Sequence, residues 1–479
     1  MTSVVYDVAV IGGGPAGLAA AGLAARYAVA TVLFDERPRP GGSRYGASIA
    51  SGDPGTDAPA HRDSHEDLVA EFRNSRATGV FDAAVWAARR RDDGVFDIGV
   101  AHGTPGARST RIASARSLIV ATGALPRPFP IPGAALRGVV GAAEAEALLA
   151  AAGGSSERRI VLAGNGQHLW QLASEYLGAG VALEALLITT PRAERLRALS
   201  SAWGAILSPD FLRGLALEQR VRRRVRVIGN VKTLVARGRE RLEAVELETL
   251  RGSEVVRADR LVLHQGLVPE INFGAALGCA YRWNDAQACF EPVVDRWGGS
   301  TLPDVFFAGD AAGVAGAAAA RARGRLAALA VANALGRIDA RARDAAAEKP
   351  RAELRRALRG RAFIDVLHLP ADTYRIPRGD TVVCECENVT ANEVIAAVVQ
   401  GAAGPNQVKA FARCGMGTCQ GRRCGLTVTE VVARERGISP GEAGHFRIRW
   451  PVKPITLAEI AALPSSPEAE RAVVRDAAH

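Results

Sequence analysis

The chain has 479 residues and a formal net charge of +10, from 60 Lys and Arg against 50 Asp and Glu. This length is enough for about three domains with cores of their own, and no apolar run reaches the ~18 residues of a membrane-spanning helix. The excess charge is arginine spread along the chain, which a coding bias explains as well as a nucleic-acid site would. We expect a cytoplasmic protein with no nucleic-acid partner and no transmembrane segment; peripheral attachment at the inner membrane is the alternative.

The first predicted unit is a strand, a glycine turn, a helix and a second strand within VVYDVAVIGGGPAGLAAAGLAARYAVATVLFDERPRPGG. Gly12, Gly14 and Gly17 fit the GxGxxG pattern, whose glycines allow a tight turn, backbone approach to a pyrophosphate and close helix packing. Free N–H groups and the dipole at the helix N-terminus favour bound phosphate. Glu36, 24 residues after Gly12, is placed to accept ribose hydroxyls, with Asp35 as the neighbouring candidate. The pattern predicts dinucleotide binding; a tight turn without a ligand is the alternative.

Two later segments indicate which dinucleotide binds. SLIVATGALPRPFPIPG, residues 117–133, predicts a buried strand that ends at a Thr-Gly turn. Residues 301–335 predict a strand that ends at Gly309 and Asp310 and leads into a long alanine-rich helix. The Asp310 carboxylate could cap that helix or contact the ribityl chain of a flavin. In the second case the positive end of the helix would favour an anionic reduced flavin.

Residues 158–190 predict a second unit of strand, turn, helix and strand. Gly164 and Gly166 are present, but Leu169 replaces the third glycine, and Thr189 with Thr190 replaces the acid that would bind a ribose. We therefore expect a nucleotide-binding fold that is degenerate for NAD(P)H and holds another nucleotide, such as ATP, or none. Further on, the run RVRRRVRV at 220–227 alternates valine with arginine and predicts a strand on a solvated basic surface, with partner docking as the alternative.

Cysteine is absent before position 279, and five of the seven cysteines lie between positions 384 and 424. A predicted strand ends at Cys384 and Cys386, Thr390 can cap the helix that follows, and Cys419 and Cys424 come after a glycine turn. Clustered thiols in a reducing compartment indicate a metal rather than disulfides. Four thiolates from two loops suit either a 2Fe-2S cluster or zinc.

In this order the dinucleotide-binding segments resemble the two-dinucleotide-binding-domain flavoproteins, the glutathione reductase-like superfamily. The resemblance implies an α/β fold with FAD in the first of two Rossmann-like domains; the cysteine pair of disulfide reductases is missing, which excludes dithiol chemistry. We expect an FAD-binding domain at 1–150 and 265–340, a second nucleotide-binding domain at 151–264, a linker at 341–378, a cysteine module at 379–436 and a tail at 437–479. The implied cofactor-binding residues are Gly12, Gly14, Pro15, Ala16, Gly17, Asp35, Glu36, Arg37, Gly42, Ala121, Thr122, Gly123, Gly309 and Asp310.

The cysteine module resembles the domain of bacterioferritin-associated ferredoxins, which binds a 2Fe-2S cluster. The shared pattern is CxC, 32 intervening residues and CxxxxC. The ligands that the resemblance implies are Cys384, Cys386, Cys419 and Cys424. Cys414 comes too early for the family's spacing and is left as a nearby spare thiol, while Cys279 and Cys289 are expected to be buried or idle.

Nearly the whole chain resembles the alpha subunits of the opine oxidase, hydrogen cyanide synthase and hydroxyproline or proline dehydrogenase group, through ERPRPGG, AGDAAGVAGA, VVCECENVT, GMGTCQGRRCG and RIRWPVKPITLAEIAAL. In that group a beta subunit with its own FAD, similar to glycine oxidase, oxidises the amine or amino acid. The alpha subunit passes the electrons onward, and some members hold FMN at the subunit contact. The resemblance therefore implies an electron-transfer subunit of a heteromeric complex, in which a small third subunit is a further candidate partner.

The residues agree with this division of labour because no general base and no paired carboxylates are placed for substrate chemistry. We accordingly name no catalytic residue. Two alternatives remain open: a self-contained NAD(P)H-dependent flavin and iron-sulfur reductase, and a non-catalytic assembly or iron-storage partner.

Overall fold

The structure is a computed structural model that describes residues 4–42, 59–104, 108–152, 159–193 and 209–463 and positions 197, 466, 467, 469 and 470, with only the backbone of 59–65 and 209–213. Its strands are β1 (Val5–Ile11), β2 (Thr31–Phe34), β3 (Thr78–Val80), β4 (Ala83–Arg90), β5 (Phe96–His102), β6 (Ser109–Val120), β7 (Ala124–Pro126), β8 (Val139–Gly141), β9 (Ile160–Gly164), β10 (Leu183–Ile188), β11 (Val227–Gly229), β12 (Thr233–Arg237), β13 (Ala244–Thr249), β14 (Gly252–Arg257), β15 (Arg260–His264), β16 (Leu267–Pro269), β17 (Tyr281–Asn284), β18 (Cys289–Pro292), β19 (Val305–Phe307), β20 (Val382–Cys384) and β21 (Val389–Thr390).

The helices alternate with these strands in the first two thirds of the chain and dominate the last third. They are α1 (Pro15–Arg26), α2 (Pro59–Arg73), α3 (Ala142–Ala152), α4 (Gln167–Gly178), α5 (Pro209–Arg222), α6 (Asn272–Leu277), α7 (Ala317–Ala334), α8 (Ala340–Ala357), α9 (Arg361–Leu367), α10 (Asp372–Arg375), α11 (Ala391–Val399), α12 (Pro405–Ala412), α13 (Gly425–Arg436), α14 (Pro440–Ala443) and α15 (Leu457–Ala461), with a 3₁₀ turn at Gly309–Ala312.

The first domain is built on a sheet that, over the described residues, has seven strands in the order β3-β2-β1-β6-β5-β4, with β19 beside β6. β1 is parallel to β2 and β6, and its buried run of apolar residues is typical of a parallel strand covered on both faces. α1 and α7 pack together through buried alanine and glycine. A side chain at Gly324 of α7 would clash with the backbone of Ala16, so the small residues set how closely the helices approach.

The second domain is built on a parallel sheet in the order β11-β10-β9-β15-β8. The predicted strand, turn, helix and strand at 158–190 are β9, α4 and β10, so that prediction is confirmed. β8 and most of α3 precede residue 151 but belong to this domain, because β8 pairs with β15. A strand of three residues has too little pattern to place such a boundary from sequence.

The prediction of a strand at 220–227 was wrong. α5 continues to Arg222, a turn follows, and β11 begins only at Val227. Glu218 and Arg222 are one helical turn apart and form an ion pair at 2.6 Å, and Val221 is fully buried. The valine that suggested alternation therefore lies on the buried face of a helix whose other face carries the arginines.

The predicted linker consists largely of helices, with α8 packed against α7 and followed by α9 and α10. The cysteine module contains β20, β21 and α11 to α13, and α14 of the tail packs against α13. The core of the module is formed by buried valines with Cys384, Cys414 and Cys424. Thr390 caps α11 in a capping box with Glu393, as expected. Within the described part of the chain, none of the helices has both the length and the apolar composition needed to cross a bilayer.

Candidate functional site

The glycine turn between β1 and α1 is the centre of the candidate flavin site. Gly12 has a φ of +110°, and a side chain there would collide with the Ala121 carbonyl. Gly17 is packed against the Gly12 carbonyl, so a side chain would collide there as well. Gly14 precedes α1 as its N-cap residue, and Pro15 occupies the first helical position, where an N–H would have no intrahelical partner. These contacts match the roles that the GxGxxG pattern predicts for two of its glycines.

Three other segments with predicted cofactor residues meet this turn. Ala121, the residue after β6, lies against Gly12, Gly42 faces Gly14, and Gly309 faces Ala16. A Cβ on Gly42 would lie 2.9 Å from Cα of Gly14, and one on Gly309 would lie 2.7 Å from Cβ of Ala16. The small residues therefore let these backbone segments come together at the N-terminus of α1, a place here called the glycine groove, where a pyrophosphate is favoured.

The two acidic candidates at the end of β2 have different roles. Asp35 is buried, and its carboxylate accepts hydrogen bonds from the backbone N–H groups of Gly13 and Arg37. These bonds stabilise the glycine turn. Burial raises the pKa of Asp35 in spite of these bonds. Glu36 is half-exposed and lies 2.6 Å from Nζ of Lys453. Partial burial is the largest single effect and opposes ionisation of Glu36, but Lys453 together with Arg37 and Arg422 outweighs it and the pKa is lowered. Glu36 is therefore the carboxylate that is available to ribose hydroxyls.

Thr122 and Asp310 come directly after Ala121 and Gly309, the two residues that contact the turn. Oγ1 of Thr122 is buried and has no hydrogen-bond partner within the described residues, which leaves it available to a bound group. Oδ1 of Asp310 accepts hydrogen bonds from the N–H groups of Ala315 at 2.9 Å and Gly316 at 3.2 Å. The expected cap on α7 is therefore indirect, because Asp310 binds the two residues before the helix and not its first turn. The orphaned hydroxyl and the glycine groove fit a dinucleotide.

The cysteine module brings all five of its thiols into two contact groups. Sγ atoms of Cys384, Cys414 and Cys424 lie within 4.8 Å of one another and are buried. Cys386 is exposed, Cys419 is half-buried, and their thiols interact with each other. The structure thus places the predicted spare Cys414 in the buried group, next to two predicted ligands. A 2Fe-2S cluster needs two thiolates on each iron, and the two contact groups supply one pair each with one thiol in excess.

Hydrogen bonds among the buried thiols set their acidities. Hydrogen bonds with the thiols of Cys414 and Cys424 lower the pKa of Cys384. Hydrogen bonds with Cys384 and Cys414 raise the pKa of Cys424. For Cys414 the contact with Cys384 is the largest effect and raises the pKa. Thiolate is the form that binds metal. A cluster of three thiols in which one ionises easily is therefore a suitable set of metal donors.

Four residues that sequence reasoning did not identify connect the cysteine loop to the flavin groove. Nε of Arg422 lies 3.5 Å from Oε1 of buried Glu270, and the N–H of Glu270 donates to the carbonyl of Gly123 at 3.1 Å. Nδ2 of Asn272 donates to the carbonyl of Gln420 at 3.1 Å. Gln420 and Arg422 also donate to the backbone of the C-terminal segment 451–452. Contacts across about 150 positions of sequence leave no local pattern.

The comparisons with known proteins agree with both halves of this arrangement. The family model of the pyridine nucleotide-disulphide oxidoreductases matches residues 6–334, and that of the sarcosine oxidase A3 domain matches residues 378–463. The A subunit of opine oxidase from Rhizobium meliloti is 40% identical over 98% of this chain and 89% of its own length. The chain belongs to the family of opine oxidase A subunits. Its N-terminal part belongs to the pyridine nucleotide-disulphide oxidoreductases, which confirms the predicted fold class and a flavin-type oxidoreductase.

More distant relatives come from the group of enzymes that the sequence analysis named. Hydrogen cyanide synthase subunit HcnB of Pseudomonas protegens is 26% identical over 93% of this chain and 95% of its own length. The solved structure of L-proline dehydrogenase from P. horikoshii has a TM-score of 0.71 at 20% identity, over 95% of this chain and 79% of that chain. This structural likeness shows the fold, and the relatives' names as subunits place the family in heteromeric enzymes.

Proposed function

We propose that the chain is the electron-transfer subunit of a heteromeric enzyme that oxidises an opine, amine or amino acid at its CH–NH group. FAD would occupy the groove at Gly14 and Gly42, and a 2Fe-2S cluster would be held by Cys384, Cys386, Cys419 and Cys424. A flavin accepts electrons in pairs and can release them singly to a cluster. A beta subunit with its own flavin would oxidise the substrate, with FMN at the contact and a small third subunit as further candidates.

The observation that carries the proposal is the direct connection between the cysteine loop and the flavin groove. The loop that contains Cys419 is fixed by Arg422 and by the bond from Asn272 to Gln420. Glu270, on the other side of this contact, is bound to the carbonyl of Gly123, one of the predicted flavin contacts. A fixed separation between two redox groups is what electron transfer within one chain requires. The connection has no use in a protein that only stores iron.

The roles of the chain's residues follow from their positions. Backbone N–H groups at the start of α1 would bind the pyrophosphate, and Glu36 would accept from the ribose, with Lys453 closing that end. Arg422 and Glu270, whose side chains are both largely buried, hold the cysteine loop in place. In this proposal the carboxylates of Glu36 and Asp310 serve cofactor binding, and substrate oxidation is assigned to the partner.

The function is tested by anaerobic stopped-flow on the purified chain with octopine, nopaline, glycine, proline and hydroxyproline. We expect its flavin to stay oxidised with each compound and to become reducible when the beta subunit is added. Reduction of the flavin by any of the five at the turnover rate, in the absence of a second polypeptide, would contradict the division of labour. Rapid reduction by NADPH would instead favour a self-contained reductase.

A second prediction concerns Arg422. We expect Arg422→Gln to keep its flavin and iron but to transfer electrons from flavin to cluster several-fold more slowly, because the loop is less firmly held and the transfer rate falls steeply as the separation of the two groups grows. The rate is followed as cluster absorbance after photoreduction of the flavin. Arg423→Gln is the matched control, since Arg423 is exposed and pairs with Glu385 at the surface. Equal rates in both variants would show that the Arg422 contact does not set the separation.

A further inference from the structure

The glycine turn of the second domain is in contact with the chain's own linker. Asn165 lies between Gly164 and Gly166, and its Nδ2 donates to the carbonyl of His368 at 3.0 Å. Because Gly164 pairs with His264 across the sheet, Gln265 is the neighbour of Asn165, and its Nε2 donates to the carbonyl of Tyr374 at 3.3 Å. Both amides lie at the carboxyl ends of parallel strands, which is where ligands of such sheets bind.

Tyr374 fixes the linker at the same edge of the sheet. Its side chain is 2% exposed, and its hydroxyl donates to the carbonyl of Val231, just past β11, at 3.1 Å. Its ring packs edge-on against Phe129 at 5.2 Å between centroids. Residues 361–376, here called the strap, therefore run across the carboxyl ends of β9, β15 and β11.

The surroundings of the turn do not favour a phosphate. The rings of His168 and His264 are 4.8 Å apart. Burial, with His168 and His368 nearby, lowers the pKa of His264 to about 3, so it carries no charge at neutral pH. Nε2 of His168, in the first turn of α4, lies 2.7 Å from a carboxylate oxygen of Glu146. A negative side chain beside the helix N-terminus opposes the binding of an anion.

The other end of the strap is joined to the cysteine module. Arg375 forms an ion pair with Glu430, which is buried in α13, and Asp372 accepts from Arg434 of the same helix at 2.8 Å. Near its start, Asp365 accepts from Gln287 of the first domain at 3.2 Å. The strap thus contacts the first domain, the second domain and the cysteine module. Its middle lies at the edge of the second-domain sheet where a nucleotide would bind.

We infer that the strap occupies the place of a dinucleotide's pyrophosphate in the second domain, and that this domain, by binding the strap, positions the cysteine module. The second domain then binds no NAD(P)H while the strap is seated. Release of the strap loosens α13 as well, since Arg375 and Asp372 leave with it. This role is independent of the proposed function, because it needs neither a substrate nor electron transfer.

The test is hydrogen exchange by mass spectrometry on the full cofactor-loaded chain, comparing the wild type with Tyr374→Ala and Tyr374→Phe. We expect Tyr374→Ala to raise exchange about tenfold or more at 164–167, at 368–376 and at 428–432 together. Exchange in β1 and α1 should stay unchanged. Tyr374→Phe keeps the ring and its packing, so its exchange should stay close to that of the wild type.

Two results would overturn the inference. One is faster exchange of the strap in Tyr374→Ala without any change at 428–432, since the module would then be held by other contacts. The other is protection of 164–167 in the wild type by NADPH or NADH at millimolar concentration while the strap stays protected. If Tyr374→Ala does not fold, Gln265→Ala removes the donor to the Tyr374 carbonyl, and the same three regions are measured in that variant.

Discussion

Cys384→Ser and Cys424→Ser are each expected to purify with little or no iron and acid-labile sulfide. Both side chains are buried among apolar residues, and both belong to the predicted ligand set as well as to the buried thiol group. Serine has nearly the same size, so the module should fold, but a hydroxyl does not replace a thiolate as a ligand of an iron-sulfur cluster. Iron and sulfide analysis and the EPR spectrum after dithionite reduction give the result.

Cys414→Ser separates the two possible ligand sets. The family spacing makes Cys414 the spare thiol, and we expect this variant to keep most of its iron. The proposed set takes one ligand pair from each contact group, and Cys386 and Cys419, whose thiols contact each other, are the second pair. Cys279→Ser is the matched control, since Cys279 is a buried thiol of the first domain. If Cys414→Ser loses as much iron as Cys384→Ser while Cys419→Ser keeps it, Cys414 replaces Cys419 as the ligand. Zinc in place of iron after anaerobic preparation would exclude the cluster.

The parts of the fold that could be predicted are those with local sequence patterns. A GxGxxG turn between a buried strand and a helix specifies its geometry through backbone needs that only glycine meets, as the φ of Gly12 shows. The capping box at Thr390 and Glu393 is equally local, because its two bonds join residues three positions apart. The second strand, turn, helix and strand unit has the same kind of pattern and was found for the same reason.

The contacts that were not predicted join distant segments through side chains without a local pattern. Lys453 pairs with Glu36, and Arg422 with Glu270, across gaps that no periodicity describes. The chain has 60 lysines and arginines, and nothing near position 422 distinguishes that arginine from its neighbour Arg423. The strap is missed for a different reason, since its bonds use backbone carbonyls of His368 and Tyr374, which every sequence offers.

The deviation at the second nucleotide unit was visible in the sequence, although its physical reason was not. Leu169 is fully buried and contributes to the core between α4 and the sheet, so its position was filled for packing. Thr189 and Thr190 are buried as well. Buried packing therefore occupies the positions of the third glycine and of the acid that an NAD(P)H site would need.

Gly14→Val is expected to fold and to keep its iron, but to lose most of its flavin. The backbone of Gly14 has a φ of −75°, which every residue adopts, and a Cβ there would have Gly42 Cα at 3.9 Å as its near neighbour. The protein itself therefore has room for a side chain at this position. At Gly12 and Gly17, in contrast, a side chain would collide with the protein's own backbone, and loss of flavin there would report on folding.

Valine at position 14 points into the groove where a pyrophosphate would approach the N-terminus of α1. Hydrogen bonds to a charged group contribute about 1.5–3 kcal/mol each, so losing one weakens binding by about tenfold or more. Gly178→Val is the matched control, because a Cβ at Gly178 meets no heavy atom within 4 Å and lies far from the groove, in the second domain. Flavin content per chain is measured by absorbance after denaturation, and iron content shows whether the rest of the protein is intact. A Gly14→Val protein with full flavin content would place the flavin elsewhere in the chain.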